Sequence, residues 1–167
     1  MEGQLTPGLR QELIAFLPRL RRFARSLAAG NAEAGDDLAQ AAIEKALANI
    51  GSFQEGTRLD SWMYRIAQNL WIDAKRSERT RGTPVSDELL AYVAGEDGRR
   101  VAEARITLAA TRKAIEALPD EQRSAVMLVL VDGLSYQDAS EALSVPIGTI
   151  MSRIHRARAT LEAKVFG

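Results

Sequence analysis

The sequence predicts an all-α protein, two small helical modules joined by a connector, and three observations predict it. Apolar residues recur at spacings of three and four through most of the chain, as helices with one buried face require. Alanine and leucine are prominent while aromatics are only 5%, a composition that favours helix over sheet. Between two such regions, residues 78–103 hold Gly82, Pro84, Gly95 and Gly98 and keep no apolar face for long. That stretch exceeds most loops inside a compact domain, which favours two modules over one. The predicted division is residues 1–77, 78–103 and 104–167.

In the first module, Leu13, Leu17, Leu20, Ala24 and Leu27 define one helix, stopped by Gly30 and Asn31 because glycine tolerates a left-handed backbone there. A second helix over about 32–50 turns Leu38, Ala42 and Leu47 inward, with Ile43 and Ala46 beside them. A loop around Phe53 follows, bracketed by Gly51 and Gly56. A third helix over about 59–76 carries Trp62, Ile66, Asn69, Leu70 and Asp73 in step. In the connector, Leu89, Leu90, Tyr92 and Val93 can form one short helix.

The second module begins near Ala104 with a helix whose apolar side holds Ile106, Leu108, Ala110, Ala114, Ile115, Ala117 and Leu118, ending at Pro119. Asp120 and Glu121 then favour the positive end of the next helix dipole. The run 125–131 is apolar without a break and reads as helix or buried strand; its length with residues 119–124 favours helix.

Residues 133–163 carry the most information. Gly133 breaks the preceding helix, and Ser135 caps a short one, with Asp138 three residues on. A tight turn at Ser144 and Val145 leads through Pro146 into a last helix. Ile147, Ile150, Ile154, Ala157 and Leu161 form its predicted inner stripe, which sets Thr149, Ser152, Arg153, His155, Arg156 and Arg158 outward. Two helices, a tight turn and a basic outer face on the second helix match the helix-turn-helix that reads DNA. Arginine forks onto guanine O6 and N7 or neutralises phosphate, and serine and threonine donate to phosphate oxygens.

Charge and composition test that reading. Net charge is zero, with 22 basic and 22 acidic residues, whereas nucleic-acid binders are usually basic. The basic residues are clustered, however: Arg19, Arg21, Arg22 and Arg25; Lys75, Arg76, Arg79 and Arg81; Arg153, Arg156 and Arg158. Enzyme chemistry finds little support. There is no cysteine, the lone histidine His155 has no evident carboxylate partner, and no glycine-rich phosphate loop is present. No cofactor or metal is implied. The first seven residues show no basic segment leading into an apolar one, so the expected location is the cytoplasm.

The stretch Val145-Pro146-Ile147-Gly148-Thr149-Ile150-Met151-Ser152-Arg153-Ile154-His155-Arg156-Ala157-Arg158 closely resembles the final helix of extracytoplasmic-function (ECF) sigma factors. Leu118-Pro119-Asp120-Glu121-Gln122-Arg123 and Gly133-Leu134-Ser135-Tyr136 resemble the same family's fourth conserved region. Asp36-Asp37-Leu38-Ala39-Gln40 and the run from Leu59 to Asn69 resemble its second. Within the family, the likeness is to the general-stress-response subgroup of alphaproteobacteria.

The resemblance implies an alternative sigma factor whose partners are core RNA polymerase, promoter DNA and an anti-sigma factor, with no membrane. Asp36, Asp37, Leu38, Gln40 and Glu44 match the helix that docks on polymerase. Arg65, Asn69, Asp73, Lys75 and Arg76 match the region engaging the −10 element. Thr149, Met151, Ser152, Arg153, His155, Arg156 and Arg158 match the −35 reading helix. Three residues depart from the family pattern. Ala41 stands where an acidic residue is common, Ser144 where the turn usually offers glycine, and Met151 where some members place a basic residue. A sigma-like decoy that sequesters an anti-sigma factor, or a helix-turn-helix regulator that dimerises on a palindrome, would use some of the same parts.

Overall fold

The computed structural model describes the backbone of residues 5–80 and 101–166, and the side chains of 5–80 and 108–165. The short helix expected at Leu89–Val93 lies outside the described residues, as do the side chains of Ala104 and Ile106. Within them the chain is helical: α1 (Pro7–Leu27), α2 (Ala32–Ala48), α3 (Leu59–Thr80), α4 (Val101–Glu116), α5 (Asp120–Val126), α6 (Tyr136–Leu143) and α7 (Ile147–Phe166). No strand occurs among the described residues.

Helix α1 begins under a cap in which the Leu9 amide donates to Thr6 Oγ1 at 3.2 Å. It continues through Pro18, whose exposed position leaves the unpartnered carbonyl at Ile14 to water. It stops where Ala29 and Gly30 adopt φ of 51° and 87°. Its buried face is Leu13, Phe16, Leu20, Phe23, Ala24 and Leu27. Each large side chain there contributes about 1.5–3 kcal/mol of burial. Helix α2 packs closely on α1 at Gly35, where a Cβ would meet the Arg25 Cα at 2.5 Å. Its inward residues are Gly35, Leu38, Ala39, Ala42 and Ala46, while Leu47, expected inside, is 44% exposed. Helix α3 buries Leu59, Ser61, Met63, Tyr64 and Ala67. Trp62 and Trp71 are half-buried at the margin, Trp62 packed on Phe53.

The apolar run after α5 is helical, as expected, but its last turn widens. Met127–Val131 is a π-turn in which the Asp132 amide reaches back to the Met127 carbonyl at 2.9 Å. Helix α4 exposes Leu108, predicted to face inward, and buries Ala114. Helices α5, α6 and α7 enclose Leu128, Leu134, Ala139, Ala142, Ile150, Ile154 and Ala157. Arg123 is only 2% exposed, and its guanidinium donates to the carbonyls of Leu118 and Glu116 and to Asp120.

The two modules share one apolar core instead of standing apart. Helix α3 lies along α6, and α1 lies against α5. Polar contacts seal the seam. Arg123 also reaches the Leu27 carbonyl at 3.2 Å, and Ser124 Oγ donates to Gln68 at 3.2 Å. Arg58 bonds Asp138, and Asp132 accepts from both Arg22 and Tyr64.

Candidate nucleic-acid interface

The helix-turn-helix forms as the sequence required. The Asp138 amide donates to Ser135 Oγ at 3.0 Å, capping α6. Ser144 then takes φ 56° and ψ 44°, the left-handed conformation that glycine adopts most readily. The chain turns at once into α7, and the Val145 amide closes the turn on the Ser140 carbonyl. Ile150, Ile154 and Ala157 anchor α7. Ile147, expected on that stripe, is 43% exposed. It belongs to the first turn, beyond the reach of the α6 packing face.

Opposite the buried stripe, Gly148, Ser152, His155 and Arg156 are exposed, and no described residue outside α7 lies within 4 Å of the Cβ position at Gly148. Arg158 and Met151 are exposed on one flank, with Met151 at 53%. Thr149 is half-buried on the other. Arg153 departs from the expected outward set. Its side chain is 19% exposed and sits 3.7 Å from Glu121 on α5. Arg156 and Arg158 therefore supply the free positive charge of this face, and the Glu121 partner is itself open to water.

On α3, Asn69, Asp73 and Arg76 are exposed together. Lys75 lies with its ammonium 4.8 Å from the Trp71 ring centre, a cation–π contact that leaves a basic and aromatic ledge. Arg65 is engaged elsewhere: its Nε and Nη2 both donate to the Glu141 carbonyl of α6, at 3.1 and 2.6 Å. The docked modules thus occupy one of the five side chains matched to the −10 element.

The α2 residues divide in the same way. Asp37, Gln40 and Glu44 form an exposed polar stripe, with Gln40 bonding Glu44 at 3.2 Å. Leu38 is core. Asp36 is gripped by Arg25 (2.8 and 2.9 Å) and Arg21 (2.9 and 3.2 Å), pinning α2 to α1. Hydrogen bonds from Arg25 and then Arg21 hold its carboxyl far below the ordinary carboxylate range. Asp60 behaves similarly in a more buried place. Burial opposes its ionisation, but Arg58, the Ser61 amide and Arg19 together keep it low.

Beside these faces, a groove between α1 and α4 is floored by Leu17, Ile115, Met127 and Val131 and rimmed by Arg21, Arg25 and Arg112. Sequence reasoning missed it, and missed Arg58, Tyr64 and Asp132 at the seam. Residues in adjoining modules leave no periodic signal when they meet across an interface. Among the described residues, no cluster of three or more His, Cys, Asp or Glu is placed to hold a metal, and no helix is long and apolar enough to cross a membrane.

Comparison with known proteins supplies the family. A family profile described as the sigma2 domain of PhyR matches residues 13–68, and one described as sigma-70, region 4 matches residues 108–161. The chain is 39% identical over 162 residues to the ECF RNA polymerase sigma factor EcfG of Rhodopseudomonas palustris (strain TIE-1), covering 97% of this chain and 87% of that protein. It is 32% identical over 150 residues to the ECF RNA polymerase sigma factor SigW of Bacillus subtilis (strain 168), covering 81% and 78%. Among solved structures it resembles the sigma factor RpoE, determined in complex with the anti-sigma factor NepR from Bartonella quintana. The TM-score is 0.77 at 33% identity, covering 96% of this chain and 98% of that one. The chain belongs to the extracytoplasmic-function family of RNA polymerase sigma factors.

Proposed function

We propose that this alternative sigma factor binds core RNA polymerase through α2 and directs initiation at promoters of a stress regulon, in the manner of the general-stress-response subgroup. In this reading, residues 1–77 meet polymerase and the −10 element, 78–103 connect, and 104–167 read the −35 element. Asp37, Gln40 and Glu44 present the docking stripe, with Asp36 and Leu38 holding it in place. Asn69, Asp73, Lys75 and Arg76 engage the opened −10 strand, where unstacked bases need charge and aromatic surface. The observation that carries the reading is the face of α7, a helix entered through a tight turn, with Ser152, His155 and Arg156 outward and no described residue crowding Gly148 in its first turn.

The seam adds a condition. Arg65 reaches −10 DNA only after leaving the Glu141 carbonyl, so the modules part when polymerase takes them up. Polymerase then holds both at promoter spacing, and the second contact becomes intramolecular, which lets a protein of zero net charge be selective. An anti-sigma protein of the cytoplasm opposes this by covering the apolar, arginine-rimmed groove along α1 and α4. A decoy would keep the fold and lose the DNA face; exposed Arg156 and Arg158 argue for the sigma reading.

Run-off transcription with purified core polymerase and a promoter library tests this. Core alone stays silent, and adding the chain starts transcripts at defined sites. Arg156→Ala weakens dependence on the −35 element while core binding persists. Equal loss of both activities contradicts the division of labour.

A further inference from the structure

We propose that Met151, with Ile147 one turn before it, selects thymine in the −35 element by packing on the C5-methyl groups that line the major groove; this rests on the reading of α7 as the −35 helix.

That helix carries an anomaly. Its core stripe is Ile150, Ile154 and Ala157, almost without exposure. Its opposite face is polar. Two large apolar side chains nevertheless stand in water beside that face, Ile147 at 43% exposed and Met151 at 53%. They are four residues apart, so they share one flank, continuous with His155 and Arg158. Among the described residues, none packs over their outer halves.

A major groove offers base edges that are donors, acceptors or, at thymine alone, a methyl group. An apolar side chain pressed on a donor or acceptor strips its water and returns no hydrogen bond, which is unfavourable. Pressed on a methyl, it buries apolar surface from both sides. Met151 therefore favours thymine and disfavours the polar edges at the same position. Its unbranched thioether can follow the groove wall, while branched Ile147 in the first turn is stiffer.

The test uses the full chain with core polymerase on a promoter recovered by run-off selection. Each −35 thymine, on either strand, is replaced singly by deoxyuridine, which pairs alike and lacks only the methyl. Wild-type affinity should fall about fourfold at one or two positions, the equivalent of ~0.8 kcal/mol for one buried methyl. Met151→Ala should lose the sensitivity at one position and Ile147→Ala at a neighbouring one, whereas Met151→Leu should keep it. Both sites are exposed, and an unchanged helical circular dichroism spectrum confirms folding. Indifference of the wild type to every deoxyuridine overturns the proposal, as does unaltered sensitivity in Met151→Ala. A scrambled −35 element separates the two levels. If scrambling abolishes binding while deoxyuridine costs nothing, only thymine selection fails; if scrambling is also harmless, the −35 reading fails with it.

Discussion

The phenol of Tyr64, wholly buried on α3, donates a 2.5 Å hydrogen bond to the carboxylate of Asp132, which follows the π-turn of the other module. Arg22 of α1 bonds the other oxygen of the same carboxylate, and Phe16 and Phe23 pack edge-on against the Tyr64 ring at 5.0 and 4.9 Å. Burial first, and then the Asp132 carboxylate, push the phenol far above its ordinary pKa. Tyr64 is therefore a neutral donor across the physiological range. Its bond is a polar tie between the two modules.

Tyr64→Phe keeps the ring packing and removes only that donor. It should cost about 1.5–3 kcal/mol, as a hydrogen bond to a charged acceptor does. Urea unfolding measures the loss, and amide exchange should quicken at α6 more than at α2. Equal protection in both variants would mean that the bond does not hold the seam.

Gly35 lies against the α1 backbone, where a Cβ would come 2.5 Å from the Arg25 Cα. Backbone cannot swing aside as a flexible side chain can, so Gly35→Ala should force α2 outward at about 1–3 kcal/mol. The displaced helix takes Asp37, Gln40 and Glu44 with it, so affinity for core polymerase should fall along with the melting temperature.

Ser144 pays the steric cost of a left-handed residue carrying a Cβ. Ser144→Gly should stabilise the chain by about 1 kcal/mol and raise the thermal midpoint by about 2–4 °C. Calorimetry checks it. Transcription should be unchanged, because Ser144 lies outside the α7 face.

The Asp36 carboxyl titrates below its unfolded value because Arg25 and Arg21 hydrogen-bond the ionised form. The sign follows from linkage: the stabilisation is complete above the unfolded pKa, near 4, and declines as pH falls below it toward the folded value. Acid unfolding should show this slope in the wild type and a shallower one in Asp36→Asn. At neutral pH the variant should be the less stable of the two.

The cap at Ser135 and the strained turn at Ser144 follow from local chemistry, so the sequence displays them. Periodicity also places Leu20, Leu27, Ile150 and Ile154 in the core. It misplaces Leu47, Leu108 and Ile147, each of which has helical phase but no neighbour to cover it. Arg153 shows the same gap for charge. Its position points it outward, and only the proximity of α5 shows that Glu121 stands there. The shared core was illegible for a related reason: a long connector suggests independent modules, and nothing periodic records that Tyr64 will meet Asp132 or that Arg65 will meet Glu141.

The most direct measurement places a photoreactive side chain at His155 on α7 and another at Asn69 on α3, each in the full chain assembled with core polymerase on a promoter. Crosslinks from position 155 should map to the −35 element and those from position 69 to the −10 element, at sites a fixed distance apart. Crosslinks from both positions to one stretch of DNA, or from position 155 to protein alone, would contradict a promoter read by two separated modules.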